Sequence, residues 1–283
     1  MFLDGASQDP QDASLEQPAR ITARGWLVPI GGCLQSPEIL TRFVDLCGGA
    51  DARIVVIPTA SNEPDHRSYY EAVFAPFPQR SLEVLPVSTR ADCADPALLS
   101  HVADATGVFF TGGNQLKLAT VLGGTPMADL LRARFASGMP VGGTSAGAAF
   151  LSDHMIAFGE EGKAPRTAMV TTVAGLGLTK RFIIDQHFRQ RDRLGRLVTA
   201  IAYNPIMIGL GVDEDTAAFI SPDEETIHIV GTGAVTLVDP AELDTSAILE
   251  AIPGTHLELP GMVVHVLDAG GVYEFPERGA AAK

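Results

Sequence analysis

The sequence predicts an α/β protein built on a parallel sheet with helices on both faces. Three observations predict it. The apolar runs are continuous rather than alternating, as in strands buried on both sides. Stretches of helical spacing separate them. Each run ends in a glycine- or serine-bearing loop, and such sheets place their ligands beyond the carboxyl ends of the strands.

The elements follow in order. Residues 26–30 (WLVPI) form the first run and end in Gly31-Gly32. Residues 40–47 have helical spacing. The run 53–57 (RIVVI) ends in PTAS, and 107–110 (GVFF) ends in TGGNQ. Helical patterns follow at 114–122 and 127–136; Pro126 opens the second and Gly138 closes it. Residues 208–212 (IGLGV) read as another buried strand. After about residue 220 the pattern is β-rich, with runs at 226–230, 234–238 and 262–267 expected as further strands of the same domain.

The chain has 283 residues, 46% of them hydrophobic and 19% charged, so it carries enough apolar material for a sizeable core. Residues 23–276 are expected to form one domain, with 1–22 a disordered tail and 277–283 a frayed end. With a net charge of −14 wholesale nucleic-acid binding is not expected, since phosphate contact needs a basic face, and any cationic function must be local. No run reaches the roughly 18–20 apolar residues of a membrane span. The acidic N-terminal stretch lacks a basic n-region, so no secretory signal is expected. Cys33, Cys47 and Cys93 have no C-x-x-C spacing and read as reduced thiols of a cytoplasmic protein rather than a disulfide frame or zinc site.

The stretch 139–149 (MPVGGTSAGAA) places Ser145 in a G-x-S-x-G pattern. An apolar approach and a small-residue run predict strand, sharp turn and helix, with the serine at the apex. Its Oγ is then exposed, and the following amide, that of Ala146, can point at a developing oxyanion. A serine needs a base, and the base an orienting acid. His154 lies nine residues on, expected on the helix leaving the turn. His187 ends the strand-like run RFIIDQH, where catalytic groups tend to be mounted, and is the favoured base. The acid is open among Asp153, Asp185, Asp213, Glu214 and Asp215. The last three cluster at one strand end, where carboxylates repel unless hydrogen-bonded or paired. With Glu214 the chain order is Ser, His, Glu, unlike the Ser, acid, His of α/β-hydrolases. Arg189, Arg193 and Arg196 are spaced to share a helical face, with Arg191 elsewhere. In so acidic a chain this cluster suggests binding of substrate carboxylates, rather than a solvated face held by an Asp192–Arg196 pair.

The motifs GGTSAGA (142–148), FFTGGNQL (109–116), DQHFRQRDRLGRL (185–197) and GVDEDTA (211–217) together resemble cyanophycinase, a serine peptidase family that also contains aspartyl dipeptidase. The likeness runs from about residue 25 to 270 and includes GTGAVTLVD (231–239). It implies a flavodoxin-like three-layer α/β/α sandwich with additional C-terminal strands. It implies hydrolysis of cyanophycin, a poly-aspartate carrying arginines on its side-chain carboxyls, to β-Asp-Arg dipeptides. Carried over position by position, it makes Ser145 the nucleophile, His187 the base and Glu214 its orienter. It puts the oxyanion amides at Gly113 and Ala146, and substrate contacts at Gln115, Asp185, Gln186, Arg191, Arg193 and Arg196. It implies a homodimer and no metal or organic cofactor. Two places depart from the family pattern: the turn GGCLQS (31–36), often acidic in relatives, and Asn114, an aspartate in some. A dipeptidase acting on short Asp-X or isoaspartyl peptides is the alternative reading.

Overall fold

The computed structural model describes residues 24–276. The tails expected at 1–22 and 277–283 lie outside the described residues. The first half alternates strand and helix: β1 (Leu27–Ile30), α1 (Pro37–Leu46), β2 (Arg53–Ile57), α2 (His66–Phe74), β3 (Ser81–Val84), α3 (Pro96–Asp104), β4 (Gly107–Phe110), α4 (Gln115–Leu122), α5 (Pro126–Ala136), β5 (Val141–Thr144) and α6 (Ala146–Phe150). The second half is richer in strand: β6 (His154–Gly159), β7 (Val170–Ala174), β8 (Phe182–Gln186), α7 (Leu194–Tyr203), β9 (Ile208–Val212), β10 (Thr216–Ile220), β11 (Thr226–Gly231), β12 (Ala234–Asp239), α8 (Ser246–Leu249), β13 (Val263–Asp268) and β14 (Val272–Glu274).

Local chemistry sets the helix starts. Asn114 accepts from Leu116 N to cap α4, and Thr125 caps α5 ahead of Pro126. The large sheet has eight strands in the order β14-β11-β10-β1-β5-β4-β2-β3. From β1 to β3 every pairing is parallel; β10, β11 and β14 extend the other edge antiparallel. Successive side chains of a strand point to opposite faces. Thus Val108 and Phe110 join the core beneath α3, α4, α5 and α6, while Phe109 joins the core beneath α1 and α2. This is the expected three-layer arrangement.

The C-terminal strands do not all extend one sheet. β12 and β13 instead join β8 and β9 in a four-stranded sheet of order β13-β12-β9-β8. Beyond β8 the chain crosses between these two sheets three times, the last from β13 to β14. From β9 to β10 it passes through Asp213–Asp215, where Asp215 has φ 50°, and from β11 to β12 through Thr232 and Gly233. These first two crossings are stitched together: Thr232 N donates to Asp215 O and Gly233 N to Thr216 Oγ1. Helix α7 packs Leu197 and Ile201 against Ile183 and Val238 of the second sheet. His154, expected on a helix, begins β6, because α6 ends at Phe150.

Candidate active site

The loops after β1, β2, β4 and β5 gather at the carboxyl ends of the parallel strands, as expected. Ser145 stands between β5 and α6 with φ 52° and ψ −116°, a backbone that a non-glycine residue holds only under strain. Its N–H donates to Ile30 O at 2.9 Å, which pins the apex to β1. The flanking glycines make the elbow possible. A Cβ on Gly143 would lie 2.5 Å from the Gly147 carbonyl, and one on Gly147 would lie 2.5 Å from Phe110 O.

His187 follows β8 with φ 47°, held by its N–H on Gly31 O at 2.8 Å. Ser145 Oγ meets His187 Nε2 at 2.9 Å and Gln186 Oε1 at 3.3 Å. On the other side His187 Nδ1 meets Glu214 Oε1 at 2.5 Å. Each member comes from a different place in the fold: β5 of the large sheet, β8 of the second sheet, and a crossing between them.

The five candidate acids separate by their partners. Asp213 is buried and accepts from Arg189 N and Ala234 N. Asp215 accepts from Gln35 N, Ser36 N, Ser36 Oγ and Thr232 Oγ1. Asp185 pairs with Arg196, and Asp153 with His154 at the surface. Only Glu214 of these five meets His187. The crowding of 213–215 is relieved because each carboxylate has its own donors.

Burial holds His187 below the ordinary histidine range. The Glu214 hydrogen bond opposes this, and the charges of Arg191 and Arg193 reinforce it. Glu214 is held below its ordinary range, first by its hydrogen bond to His187. At neutral pH the pair is therefore a neutral imidazole against a carboxylate. The carboxylate accepts from Nδ1, which leaves the Nε2 lone pair facing Ser145.

The arginines correct an expectation. Helix α7 starts at Leu194, so Arg189, Arg193 and Arg196 share no helical face, and the Asp192–Arg196 pair is absent among the described residues. Arg193 and Arg196 are 6% and 4% exposed. Arg196 grips both oxygens of Asp185, with Nε at 2.6 Å. Arg193 Nη1 donates to Gln186 O at 2.6 Å and stands 3.5 Å from Asp185 Oδ1. Burial lowers Arg193 to about 10, against the pull of Asp185. These groups brace the end of β8, immediately before His187. Arg191 is exposed, and its charge bears on both His187 and Glu214.

Gln115 opens α4 and donates to the carbonyls of Ile156 and Ala157 on β6. The loop bearing Gly113 lies beside the serine: a Cβ on Gly112 would be 3.2 Å from Ser145 Cβ. Ala146 is the first residue of α6, so its N–H has no intrahelical acceptor. A cavity of about 610 Å³ opens over Ser145 and His187, walled by Gly32, Leu34, Glu63, Tyr69 and Tyr70. Sequence reasoning missed that wall, and also Gln190, whose Oε1 accepts from Glu214 N at 3.1 Å. The signal that pointed to it was the Gly31-Gly32 turn. Gly32 lies against the His187 ring so closely that a Cβ there would be 2.3 Å from Cε1.

Comparison with known proteins decides the family. Residues 30–230 match peptidase family S51. The chain belongs to peptidase family S51. A cyanophycinase of Synechococcus elongatus is 38% identical over 255 residues, covering 88% of this chain and 79% of that protein. One from Geminocystis herdmanii is 38% identical, covering 88% and 93%. One from Trichormus variabilis is 35% identical, covering 95% and 91%. In fold, the peptidase is similar to the crystal structure of a peptidase from an acI-B1 Actinobacterium, with TM-score 0.64, 22% identity and coverage of 90% and 98%. A putative peptidase E from Listeria monocytogenes has TM-score 0.52 and 18% identity, covering 74% of this chain and 99% of its own. This S51 peptidase is a hydrolase, and no helix among its described residues is long and apolar enough to cross a membrane.

Proposed function

We propose that this peptidase is a serine-type cyanophycinase, an exopeptidase that cuts cyanophycin to β-Asp-Arg dipeptides. The observation that carries the chemistry is the unbroken hydrogen-bond chain from Ser145 through His187 to Glu214. The relatives called cyanophycinase, 35–38% identical over most of the chain, support the substrate.

Ser145 Oγ attacks the scissile carbonyl while His187 Nε2 takes its proton. The carbonyl oxygen becomes an oxyanion received by the N–H groups of Gly113 and Ala146. Glu214 stabilises the imidazolium that forms and stays ionised throughout. His187 then protonates the leaving amine, and an acyl-enzyme remains on Ser145. Water, deprotonated by His187, attacks the acyl carbon and frees Ser145 for the next cut. No step requires a metal or organic cofactor.

In this reading the exposed Arg191 contacts substrate, as does Gln186, whose Oε1 lies 3.3 Å from Ser145 Oγ. Asp185, Arg193 and Arg196 serve recognition from below, by fixing β8 and the loop that carries His187. The reading includes a cytoplasmic homodimer, which light scattering on the purified protein tests for its oligomeric part. The functional test is incubation with purified cyanophycin and mass analysis of the products over time. β-Asp-Arg dipeptide from the earliest time points is expected. Long fragments first would make it an endopeptidase. Cleavage of short isoaspartyl peptides with the polymer untouched would make it a dipeptidase. Ser145→Ala should lower the rate by about 10³-fold or more while keeping the fold. Near-normal turnover by the folded variant would remove Ser145 from its role.

A further inference from the structure

The loop that supports His187 also brings a thiol to the triad. Cys33 follows Gly32 at φ 47°, and its side chain is exposed at the rim of the catalytic cavity. Ligand atoms of Cys33, His187 and Glu214 all lie within 4.8 Å of one another. A tetrahedral zinc ion with bonds of about 2.0–2.3 Å separates its ligands by roughly 3.3–3.8 Å. Binding the metal therefore opens the 2.5 Å contact of His187 Nδ1 with Glu214 Oε1, and draws Cys33 Sγ inward, each by about 1 Å. Cys33 is exposed and can turn, and the Glu214 side chain, 30% exposed, exchanges its hydrogen bond with His187 Nδ1 for the metal. Thiolate, imidazole and carboxylate together favour zinc over magnesium or calcium, which take oxygen ligands.

We infer that Cys33 Sγ, His187 Nδ1 and a Glu214 oxygen form an inhibitory zinc site that switches the peptidase off reversibly, with water as the fourth ligand. The protons balance. The thiol loses its proton to solvent as the Zn–S bond forms. The proton on Nδ1 is displaced by the metal, and a proton from solvent settles on Nε2, so one proton is released in all. Nε2 then carries a hydrogen and has no lone pair for Ser145. Glu214, bound to the metal, no longer orients the imidazole. The site makes inhibition depend on a residue outside the Ser–His–Glu chain, and Cys47 and Cys93 are buried and do not compete for the metal.

The inference rests on the geometry and is tested both with and without turnover. In the first arm, wild type, Cys33→Ser and Cys33→Ala are assayed on cyanophycin across buffered free zinc, each normalised to its own zinc-free rate. Wild type is expected to be inhibited and restored by EDTA, with the inhibition constant at least about tenfold weaker in both variants. Equal inhibition of all three overturns the site. In the second arm, cobalt(II) is titrated into the Ser145→Ala protein. A thiolate-to-cobalt charge-transfer band is expected in the near ultraviolet, lost in Ser145→Ala/Cys33→Ser and weakened in Ser145→Ala/His187→Ala. No band, or a band that survives Cys33→Ser, overturns the site. This arm needs no substrate, so a wrong substrate assignment leaves it intact.

Discussion

At the scale of single residues, the segment 213–215 shows how three adjacent carboxylates take three different jobs. Glu214 alone reaches His187. Asp215 ties down the loop after β1 through Gln35 N and Ser36 N, and the start of β12 through Thr232. Glu214→Gln keeps the shape and removes the charge that stabilises the imidazolium. It should lower kcat by about two orders of magnitude or more, with little change in Tm. Asp215→Asn loses acceptor capacity for a set of four donors and should cost about 1–3 kcal/mol of stability. Its effect on kcat should be the smaller of the two. Steady-state kinetics and thermal melts on both variants check this, and reversed kinetic effects would make Asp215 the orienter. Ser145 and His187 stood out as candidates in the sequence because turn chemistry at Ser145 and the strand end at His187 are local signals, whereas Glu214 was singled out only by the family resemblance. Which neighbouring acid does what was not legible. That depends on loops about 180 positions away meeting Asp215 in space.

The element scale holds the main correction. Spacing alone put Arg193 and Arg196 on a helical face open to substrate, because a period does not reveal which side of a helix is covered. The structure begins α7 one residue after Arg193 and turns both guanidinium groups under β8. Arg196→Ala leaves the 1%-exposed Asp185 carboxylate without its main partner. Breaking such a buried pair costs about 3–5 kcal/mol. Since β8 ends at Gln186, kcat should fall along with Tm. Arg191→Ala removes an exposed charge, so Tm should hold while KM on cyanophycin rises. Differential scanning fluorimetry with kinetics separates the two; unchanged Tm in Arg196→Ala would mean that the pair contributes nothing. β1, β2, β4 and β5 were legible because a continuous apolar run bounded by turns is a local property; β3, only half-buried over three of its four residues, was missed. The split of the C-terminal strands was not legible. β11 and β12 show the same burial alternation, and only the crossing at Thr232 and Gly233 sends them to different sheets.

At the scale of the whole molecule, the geometry of the proposed triad depends on two sheets staying docked. Ser145 rides on the large sheet and His187 on the second, while the chain crosses at Glu214. One continuous apolar core joins them: Val55, Ile57 and Phe110 of the large sheet share it with Ile184, Leu210 and Val212 of the second. A chain of this size can unfold through intermediates when its parts have separate cores. A shared core predicts instead that the sheets unfold together. The single tryptophan, Trp26, packs at β1 and reports the large sheet. In a Trp26→Phe/Phe182→Trp variant the fluorophore moves to β8, where Phe182 is fully buried. The larger ring overpacks the site and should lower the urea midpoint, corresponding to roughly 1–3 kcal/mol. Within each protein, however, the fluorescence transition and the far-ultraviolet dichroism transition should superimpose, because neither sheet can leave without exposing the core of the other. A fluorescence midpoint from β8 that falls below the dichroism midpoint would show the second sheet detaching first. The residues 23–276 would then be two folding units, and the triad would assemble only on their docking.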